Sequence, residues 1–226
     1  MNNQFIYFQT VIPQSYQLSY QIYLPANYGI DPTVHWPLIL CLHGAAARGV
    51  DPEEIRRADL PATIEAGVEY PFIIVAPLCP AETWWSDHLP ALDILLKEVT
   101  DRYLVDVDRI AVTGVSMGAF GVWHLGVAYP QRFSALVPVS GGAAWFYGFP
   151  ERARSLDGVG VWIFHGELDP IIPLREAQVL SDELKAAGQS SRLTIIPESG
   201  HDIWKQVYRM PELIEWLLEQ KRPNGK

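Results

Sequence analysis

Short apolar runs alternate with longer segments of helical periodicity along most of this sequence, which is the pattern of a parallel sheet covered by helices. The runs are continuous rather than alternating, as is typical of strands buried on both faces. They occupy residues 37–43, 71–77, 110–115, 135–140, 160–166 and 192–197. The periodicity predicts helices over about residues 89–105, 173–187 and 203–220, with a further helix start at residues 51–54.

The chain opens on two segments of strand character, residues 5–12 and 17–24, which are rich in alternating polar, β-branched and aromatic side chains. Pro13-Gln14-Ser15 between them is typical of a turn. We therefore predict an antiparallel N-terminal pair, followed by a mostly parallel sheet with helices on both faces. No repeat or low-complexity linker divides the 226 residues, so one α/β domain is expected to span residues 1–226.

Composition and charge exclude several classes of function. The formal net charge is −9 and basic residues do not cluster, so no nucleic-acid partner is expected. The sequence shows neither a signal peptide nor an apolar stretch long enough for a membrane span, which favours a cytoplasmic protein. The two cysteines, Cys41 and Cys79, are interpreted as free thiols. No spacing of histidine or cysteine indicates a metal site, and no pattern indicates an oligomeric state.

The most informative stretch is Gly114-Val115-Ser116-Met117-Gly118, which stands between an apolar strand and a helical segment. Glycines two residues before and two after the serine leave the room that a sharp turn requires. Such a turn holds the serine backbone in a strained conformation and lifts its hydroxyl clear of the sheet. We therefore interpret Ser116 as a candidate nucleophile.

Two further polar residues stand just after predicted strands, where the chemistry of parallel sheets gathers. Asp169 follows the strand at residues 160–166, and His201 follows the last strand. The chain order serine, aspartate, histidine is the order found in α/β-hydrolases. The rivals of Asp169 for the acid role are Asp157, Glu167 and Asp202. Of these, Asp202 is expected to cap the last helix and Glu167 to be solvated.

At these residues the sequence resembles the α/β-hydrolase superfamily, over nearly all of its length. The motifs that carry the resemblance are Leu42-His43-Gly44-Ala45-Ala46-Ala47-Arg48-Gly49, Trp84-Trp85, Asp106-Val107-Asp108-Arg109-Ile110, Gly114-Val115-Ser116-Met117-Gly118-Ala119-Phe120-Gly121, Tyr129-Pro130-Gln131-Arg132-Phe133 and His165-Gly166-Glu167-Leu168-Asp169. They are similar to those of a small carboxylesterase group that includes feruloyl-esterase-like and polyhydroxybutyrate-depolymerase-like proteins, often labelled predicted peptidase or phospholipase/carboxylesterase.

The resemblance implies acyl transfer to Ser116 without a metal or a cofactor. His201 is then expected to take the serine proton and to deliver it to the leaving alcohol, while Asp169 holds the imidazole tautomer. The backbone N–H groups of Ala45 and Met117 are expected to bind the oxyanion. One departure concerns Ala46, which stands where the group usually has glycine and would be strained if the loop required a positive φ there.

Aromatic residues after the ends of the strands are candidates for a substrate surface, with burial in the core as the alternative for each. These candidates are Trp84, Trp85, Trp145 and Trp204. No insertion is long enough for a large lid, so an open cleft for small esters is expected.

The remaining histidines are interpreted mainly as structural. His43 and His165 are expected to be satisfied residues at the ends of strands, and His124 to be a packing residue hydrogen-bonded to a neighbour. His88 is the one candidate among them to approach the substrate pocket.

The sequence thus predicts a serine carboxylesterase for short-chain or aromatic carboxylic esters, whose partner is a small-molecule ester. The same triad accepts amide and thioester carbonyls, so a small peptidase or an acyl thioesterase is the alternative. A catalytically silent binding protein of the same fold is a third interpretation, which the presence of all three triad residues disfavours.

Overall fold

A twisted open sheet forms the centre of the structure, a computed structural model that describes residues 15–222. Its strands are β1 (Tyr20–Tyr23), β2 (Trp36–Leu42), β3 (Ile73–Pro77), β4 (Val105–Val115), β5 (Ala135–Val139), β6 (Gly160–Gly166) and β7 (Ser191–Ile196). Their order across the sheet is β1-β3-β2-β4-β5-β6-β7. Neighbouring strands are parallel except β1 and β3, which pair antiparallel. The predicted mostly parallel sheet is confirmed.

Helices cover both faces of this sheet, as predicted. They are α1 (Glu53–Arg57), α2 (Asp59–Glu65), α3 (Leu89–Arg102), α4 (Met117–Ala128), α5 (Leu174–Ala186), α6 (Trp204–Val207) and α7 (Pro211–Glu219), with short 3₁₀ turns at Ala45–Ala47, Trp85–His88, Pro130–Arg132 and Glu151–Ser155. Apolar side chains of α3, α4 and α5 pack in one core layer, and those of α1, α2, α6 and α7 pack in the other. Strand β2 supplies Leu40 to the first layer and Cys41 to the second, because successive side chains of a strand point to opposite faces.

A helix begins after residue 51, as predicted, and the segment forms two short helices because Asp59 adopts a positive φ of 47° at the start of the second. The structure departs from one predicted helix. The predicted helix over residues 203–220 is divided into α6 and α7 at Pro211, which has no N–H to donate and begins the second helix. Residues 17–24 do contain β1, but its predicted partner at residues 5–12 lies outside the described residues.

The topology brings three strand ends to one edge of the sheet. Strands β4, β6 and β7 are parallel, and they end at Val115, Gly166 and Ile196. Because the carboxyl ends of parallel strands lie at the same edge, the segments that follow these strands meet there. These segments contain Ser116, Asp169 and His201.

Candidate active site

Ser116 occupies the tight turn between β4 and α4. Its backbone has φ +54° and ψ −113°, a conformation that a non-glycine residue rarely adopts. The Ser116 N–H donates to the carbonyl of Val139 at 3.0 Å, which anchors the turn to the neighbouring strand β5. The strained turn expected from the sequence is therefore present.

The two flanking glycines are required by close backbone approach. A Cβ on Gly118 would stand 1.8 Å from the Leu42 carbonyl oxygen, and one on Gly114 would stand 2.5 Å from the Gly118 carbonyl carbon. We expect Gly118→Ala to lower the free energy of unfolding by more than about 3 kcal/mol, because backbone atoms of Leu42 must move to make room for the methyl group. Urea denaturation measures this effect.

Gly49→Ala is the matched control, since a Cβ there meets nothing within 4 Å. We expect it to change stability by less than about 0.5 kcal/mol. Equal stabilities of the two variants would show that the turn is not closely packed.

Asp169 and His201 form a hydrogen-bonded pair with a defined tautomer. The buried Asp169 carboxylate accepts a hydrogen bond from His201 Nδ1 at its Oδ2 atom, over 2.7 Å. Its Oδ1 atom accepts the N–H groups of Ile171 at 2.8 Å and Ile172 at 2.9 Å. Because a carboxylate only accepts, the His201 proton lies on Nδ1, which leaves Nε2 free to accept a proton.

His165 lies close to the same carboxylate but has another partner. Its Nε2 atom is 3.4 Å from Asp169 Oδ2 and 2.9 Å from the Ile172 carbonyl oxygen, which is the shorter hydrogen bond. Burial lowers the pKa of His165. It therefore fits the structural role expected from the sequence, but it is not fully satisfied, because its buried Nδ1 atom has no hydrogen-bond partner in the described residues.

Ser116 and His201 line the same cleft, which has a volume of about 310 Å³ and which we name the polar cleft. The lining of the polar cleft includes Ala45, Asp59, Ser116, His201, Asp202 and Trp204. Arg57 also lines it and is paired with Glu54 at 2.7 Å. The wall of this cleft thus carries charged groups beside the candidate nucleophile.

The backbone N–H groups of Ala45 and Met117 begin a 3₁₀ turn and helix α4, respectively. The first N–H groups of a helix have no partner within it. In the described part of the chain, neither N–H donates to another protein group. Ala45 lines the polar cleft, and Met117 follows Ser116 directly. Both donors therefore border the candidate nucleophile.

His43 and Trp85 hold the loop that carries Ala45. His43 Nδ1 donates to the Gly44 carbonyl at 2.7 Å, and its Nε2 accepts the Cys79 N–H at 2.9 Å. Burial lowers the pKa of His43 to about 4, so the ring is neutral near pH 7. The Trp85 indole N–H donates to the His43 carbonyl at 2.9 Å.

Ala46 adopts no positive φ, so the strain considered for an alanine at this position is absent.

A second cavity of about 210 Å³, which we name the aromatic pocket, borders the nucleophile turn. Its principal lining residues are Trp84, Trp85, Met117, Phe120, His124 and Phe146.

The four tryptophans predicted to contact substrate are divided among different sites. Trp84 and Trp85 line the aromatic pocket, and Trp204 lines the polar cleft. Trp145 is outside the lining of both and packs on Phe120, with ring centroids 5.6 Å apart.

The family of the chain follows from a comparison with known proteins. A model of the phospholipase/carboxylesterase family matches residues 86–217, which is more than half of the sequence. The chain belongs to the phospholipase/carboxylesterase family. It is therefore a member of a family of ester hydrolases, and the resemblance seen in the sequence motifs is confirmed. Among residues 15–222, no helix combines the length and the apolar character needed to cross a membrane.

Three individual proteins are similar to this carboxylesterase-family chain. A thermostable esterase of known crystal structure is 29% identical and superposes with a TM-score of 0.80, over 91% of this chain but 59% of that protein. A ferulic acid esterase at 19% identity shares the fold, with a TM-score of 0.63 over 88% of this chain and 93% of its own. Poly(3-hydroxyoctanoate) depolymerase from Pseudomonas fluorescens is 22% identical over 200 residues, covering 77% of this chain and 71% of that protein.

Asp59 is a residue of the cleft wall that sequence reasoning missed. Its side chain is buried, and its Oδ2 atom accepts the Gly44 N–H at 2.9 Å. This hydrogen bond fixes the residue directly before Ala45 and so orients one of the two candidate oxyanion donors. In the sequence, Pro61 is a signal that could have indicated this break, because a proline does not continue a helix and is tolerated in its first turn.

The Asp59 carboxyl titrates near neutral pH. Burial raises its pKa to about 7, opposed by the Gly44 N–H, while Asp202 adds to the rise. Unfolded aspartate has a pKa near 4, so between pH 4 and pH 7 the folded state binds more protons than the unfolded state. The Asp59 contribution to stability therefore becomes less favourable as the pH rises through this range.

We expect Asp59→Asn to gain stability relative to the parent protein by about 2–3 kcal/mol between pH 5 and pH 8. Asparagine keeps a hydrogen-bond acceptor and tolerates the positive φ, so the comparison isolates the charge. Urea unfolding at pH 5, 6, 7 and 8 measures the difference. His43 titrates in the opposite sense, but it is present in both proteins and cancels. A stability difference that is constant with pH would contradict the assigned titration.

Ser140 is a second residue that the sequence did not reveal as part of the site. It follows β5 with a positive φ of 48°, and its hydroxyl donates to the His201 carbonyl oxygen at 2.7 Å. This bond ties the loop that carries His201 to the centre of the sheet. Its position just after a strand is a sequence signal that could have identified it.

One minor prediction about a polar residue is wrong, because Asp202 does not cap the following helix, which has no side-chain hydrogen bond at its N-cap. Glu167 is exposed, as expected, and also accepts the Glu198 N–H at 2.9 Å. His88 is bonded to the Thr83 hydroxyl at 2.9 Å and is absent from the lining of both cavities.

Proposed function

We propose that this chain is a serine carboxylesterase that hydrolyses short-chain or aromatic carboxylic esters through Ser116, His201 and Asp169. The main support is the hydrogen bond from His201 Nδ1 to Asp169, combined with the presence of Ser116 and His201 in one cleft. This tautomer leaves His201 Nε2 as the base that a serine nucleophile requires.

In the first step, Ser116 Oγ forms a bond to the ester carbonyl carbon while His201 Nε2 takes the serine proton. The carbonyl oxygen becomes an oxyanion that accepts the N–H groups of Ala45 and Met117. The bond to the alkoxy oxygen then breaks, and His201 gives its proton to the leaving alcohol. Asp169 stabilises the imidazolium that exists between the two transfers.

In the second step, water attacks the acyl-enzyme with His201 again as the base. The Ser116 oxygen leaves with the proton, and the carboxylic acid is released. Proton transfer and oxyanion stabilisation both come from residues of the chain itself.

Labelling with a fluorophosphonate tests this proposal directly. The reagent is expected to modify the parent protein at Ser116 and not the Ser116→Ala variant, as peptide mass spectrometry can determine. No labelling of the folded parent protein would favour a catalytically silent binding protein. The relative rates for a matched ester, thioester and anilide then distinguish an esterase from a thioesterase or a small peptidase.

A further inference from the structure

The Asp59 carboxyl uses only one of its two oxygen atoms inside the protein. Its Oδ2 atom accepts the Gly44 N–H at 2.9 Å, while its Oδ1 atom has no hydrogen-bond partner in the described residues. The residue is only 7% exposed and lines the polar cleft. Because Oδ1 is unpaired but not sealed from solvent, it is the oxygen that is open to the cleft. The cleft wall therefore offers a nearly buried acceptor that the protein itself leaves free.

The charges of the polar cleft are predominantly negative. Its lining contains the carboxyl groups of Glu54, Asp59 and Asp202 and the guanidinium of Arg57. Arg57 is paired with Glu54 at 2.7 Å, whereas Asp59 and Asp202 form no ion pair with any basic side chain of the described residues. Burial and Asp202 raise the pKa of Asp59 to about 7, and a cation beside the carboxyl favours its ionised form. This wall therefore attracts a positively charged group.

The polar cleft is also the place for the leaving alcohol of the ester. This placement rests on the proposed function, in which the leaving oxygen receives its proton from His201 Nε2 and must lie within hydrogen-bond reach of it. His201 and Asp59 line the same cleft, and His201 is close enough to lower the pKa of Asp59. A substituent on the leaving oxygen therefore begins beside His201 and can extend to Asp59.

We propose that the polar cleft selects esters whose alcohol carries an ammonium group, and that Asp59 binds this group by accepting its N–H at Oδ1. A hydrogen bond between an ammonium and a carboxylate is stronger than one between neutral groups, and a nearly buried carboxylate is little screened by salt. Asp202 adds to the attraction as a second negative charge of the same wall. Asp59 is then a specificity-determining residue, which holds Gly44 through one oxygen and the substrate through the other, and it takes no part in the proton transfers.

Two acetate esters of nearly the same shape test this proposal, namely 2-(dimethylamino)ethyl acetate and 3-methylbutyl acetate. At pH 7 the first carries a protonated nitrogen where the second carries a CH group. We expect the parent protein to prefer the ammonium ester by about tenfold in kcat/KM, which corresponds to one charge-assisted hydrogen bond. Titration of the released acetic acid measures both rates. Each rate is divided by that of the same ester with hydroxide, which removes the difference in intrinsic reactivity.

In Asp59→Asn the preference is expected to fall below about twofold. The amide oxygen must still accept the Gly44 N–H, so the amide NH₂ group faces the cleft and opposes an ammonium donor. If Asp59 served only to hold the oxyanion loop, the substitution would change kcat/KM for both esters by the same factor and leave their ratio unaltered. Asp59→Gly, which accepts the positive φ of 47°, gives the same measurement if the asparagine variant does not fold.

Asp157→Asn is the control, because it removes the same charge at an exposed position outside the cleft, and it is expected to keep the full preference. A preference that is absent in the parent protein, or that persists in the folded Asp59 variants, overturns the assignment of Asp59. If neither ester is hydrolysed in a way that depends on Ser116, the proposed function fails and this inference fails with it. Turnover of both esters that depends on Ser116 but shows no preference refutes the ammonium assignment alone.

Discussion

Ser116→Ala is expected to lower kcat for p-nitrophenyl acetate by about 10⁶-fold while the protein stays folded. The variant lacks the oxygen that is proposed to form the acyl-enzyme, so only water can attack the bound ester. The proposed oxyanion donors at Ala45 and Met117 are backbone groups and are retained, so a residual acceleration of about 10³–10⁴ over the reaction in water is expected. Release of p-nitrophenolate at saturating ester measures kcat, and circular dichroism checks the fold.

Ser181→Ala is a suitable control for this substitution. Ser181 is a buried serine on α5 whose hydroxyl has no hydrogen-bond partner in the described residues, and it lines neither cavity. Its replacement is therefore expected to leave kcat within about twofold of the parent value. Parent-like turnover by a folded Ser116→Ala protein would remove Ser116 from the mechanism, whatever its backbone geometry.

The sequence was sufficient for the fold because its main elements are specified by local patterns. Strand β2 is a continuous apolar run, and β4 passes through the glycine-flanked serine into the apolar helix α4. Parallel pairing then brings the ends of β4, β6 and β7 to one edge, which is why residues far apart in the chain could be predicted to meet.

The hydrogen bonds that hold the loops of the candidate site could not be predicted in the same way, because they join segments that are distant in the sequence. The Asp59 carboxylate reaches Gly44 only because the turn between α1 and α2 adopts a positive φ. The hydroxyl of Ser140 reaches the carbonyl of His201 across 61 positions of sequence. The predicted hydrogen bond of His124 was wrong for a related reason, since its ring lies among aromatic side chains that offer no acceptor.

The Asp59 and His201 environments are also linked through the charges of the cleft. Asp202 raises the pKa of Asp59, and His201 lowers it. The protonation state of Asp59 therefore depends on two residues that line the same cleft. A change at Asp59 is therefore expected to alter the oxyanion loop through Gly44 and the charge near His201 at the same time. Asp59→Asn separates these effects, because it keeps the acceptor and removes the charge.

The second large effect is expected from substitutions in the His201 and Asp169 pair. We expect kcat to fall about 10⁶-fold in His201→Ala and about 10⁴-fold in Asp169→Asn. The alanine variant lacks the proposed base. The asparagine side chain has nearly the same shape as the aspartate that it replaces. Its amide oxygen must still accept the N–H groups of Ile171 and Ile172. Its amide NH₂ group then faces His201 Nδ1, where the carboxylate had accepted a hydrogen bond.

Because the amide donates at this position, Nδ1 of His201 must become the acceptor, and the ring proton moves to Nε2. A protonated Nε2 cannot take the proton of Ser116, so the loss in Asp169→Asn arises from the tautomer rather than from a displaced ring. Nitrogen-15 NMR of the histidine ring distinguishes the two tautomers, while His35→Ala and Asp157→Asn, at exposed positions, serve as activity controls. Full activity in Asp169→Asn, or an unchanged Nδ1–H tautomer with reduced activity, would show that Asp169 does not act by orienting this proton.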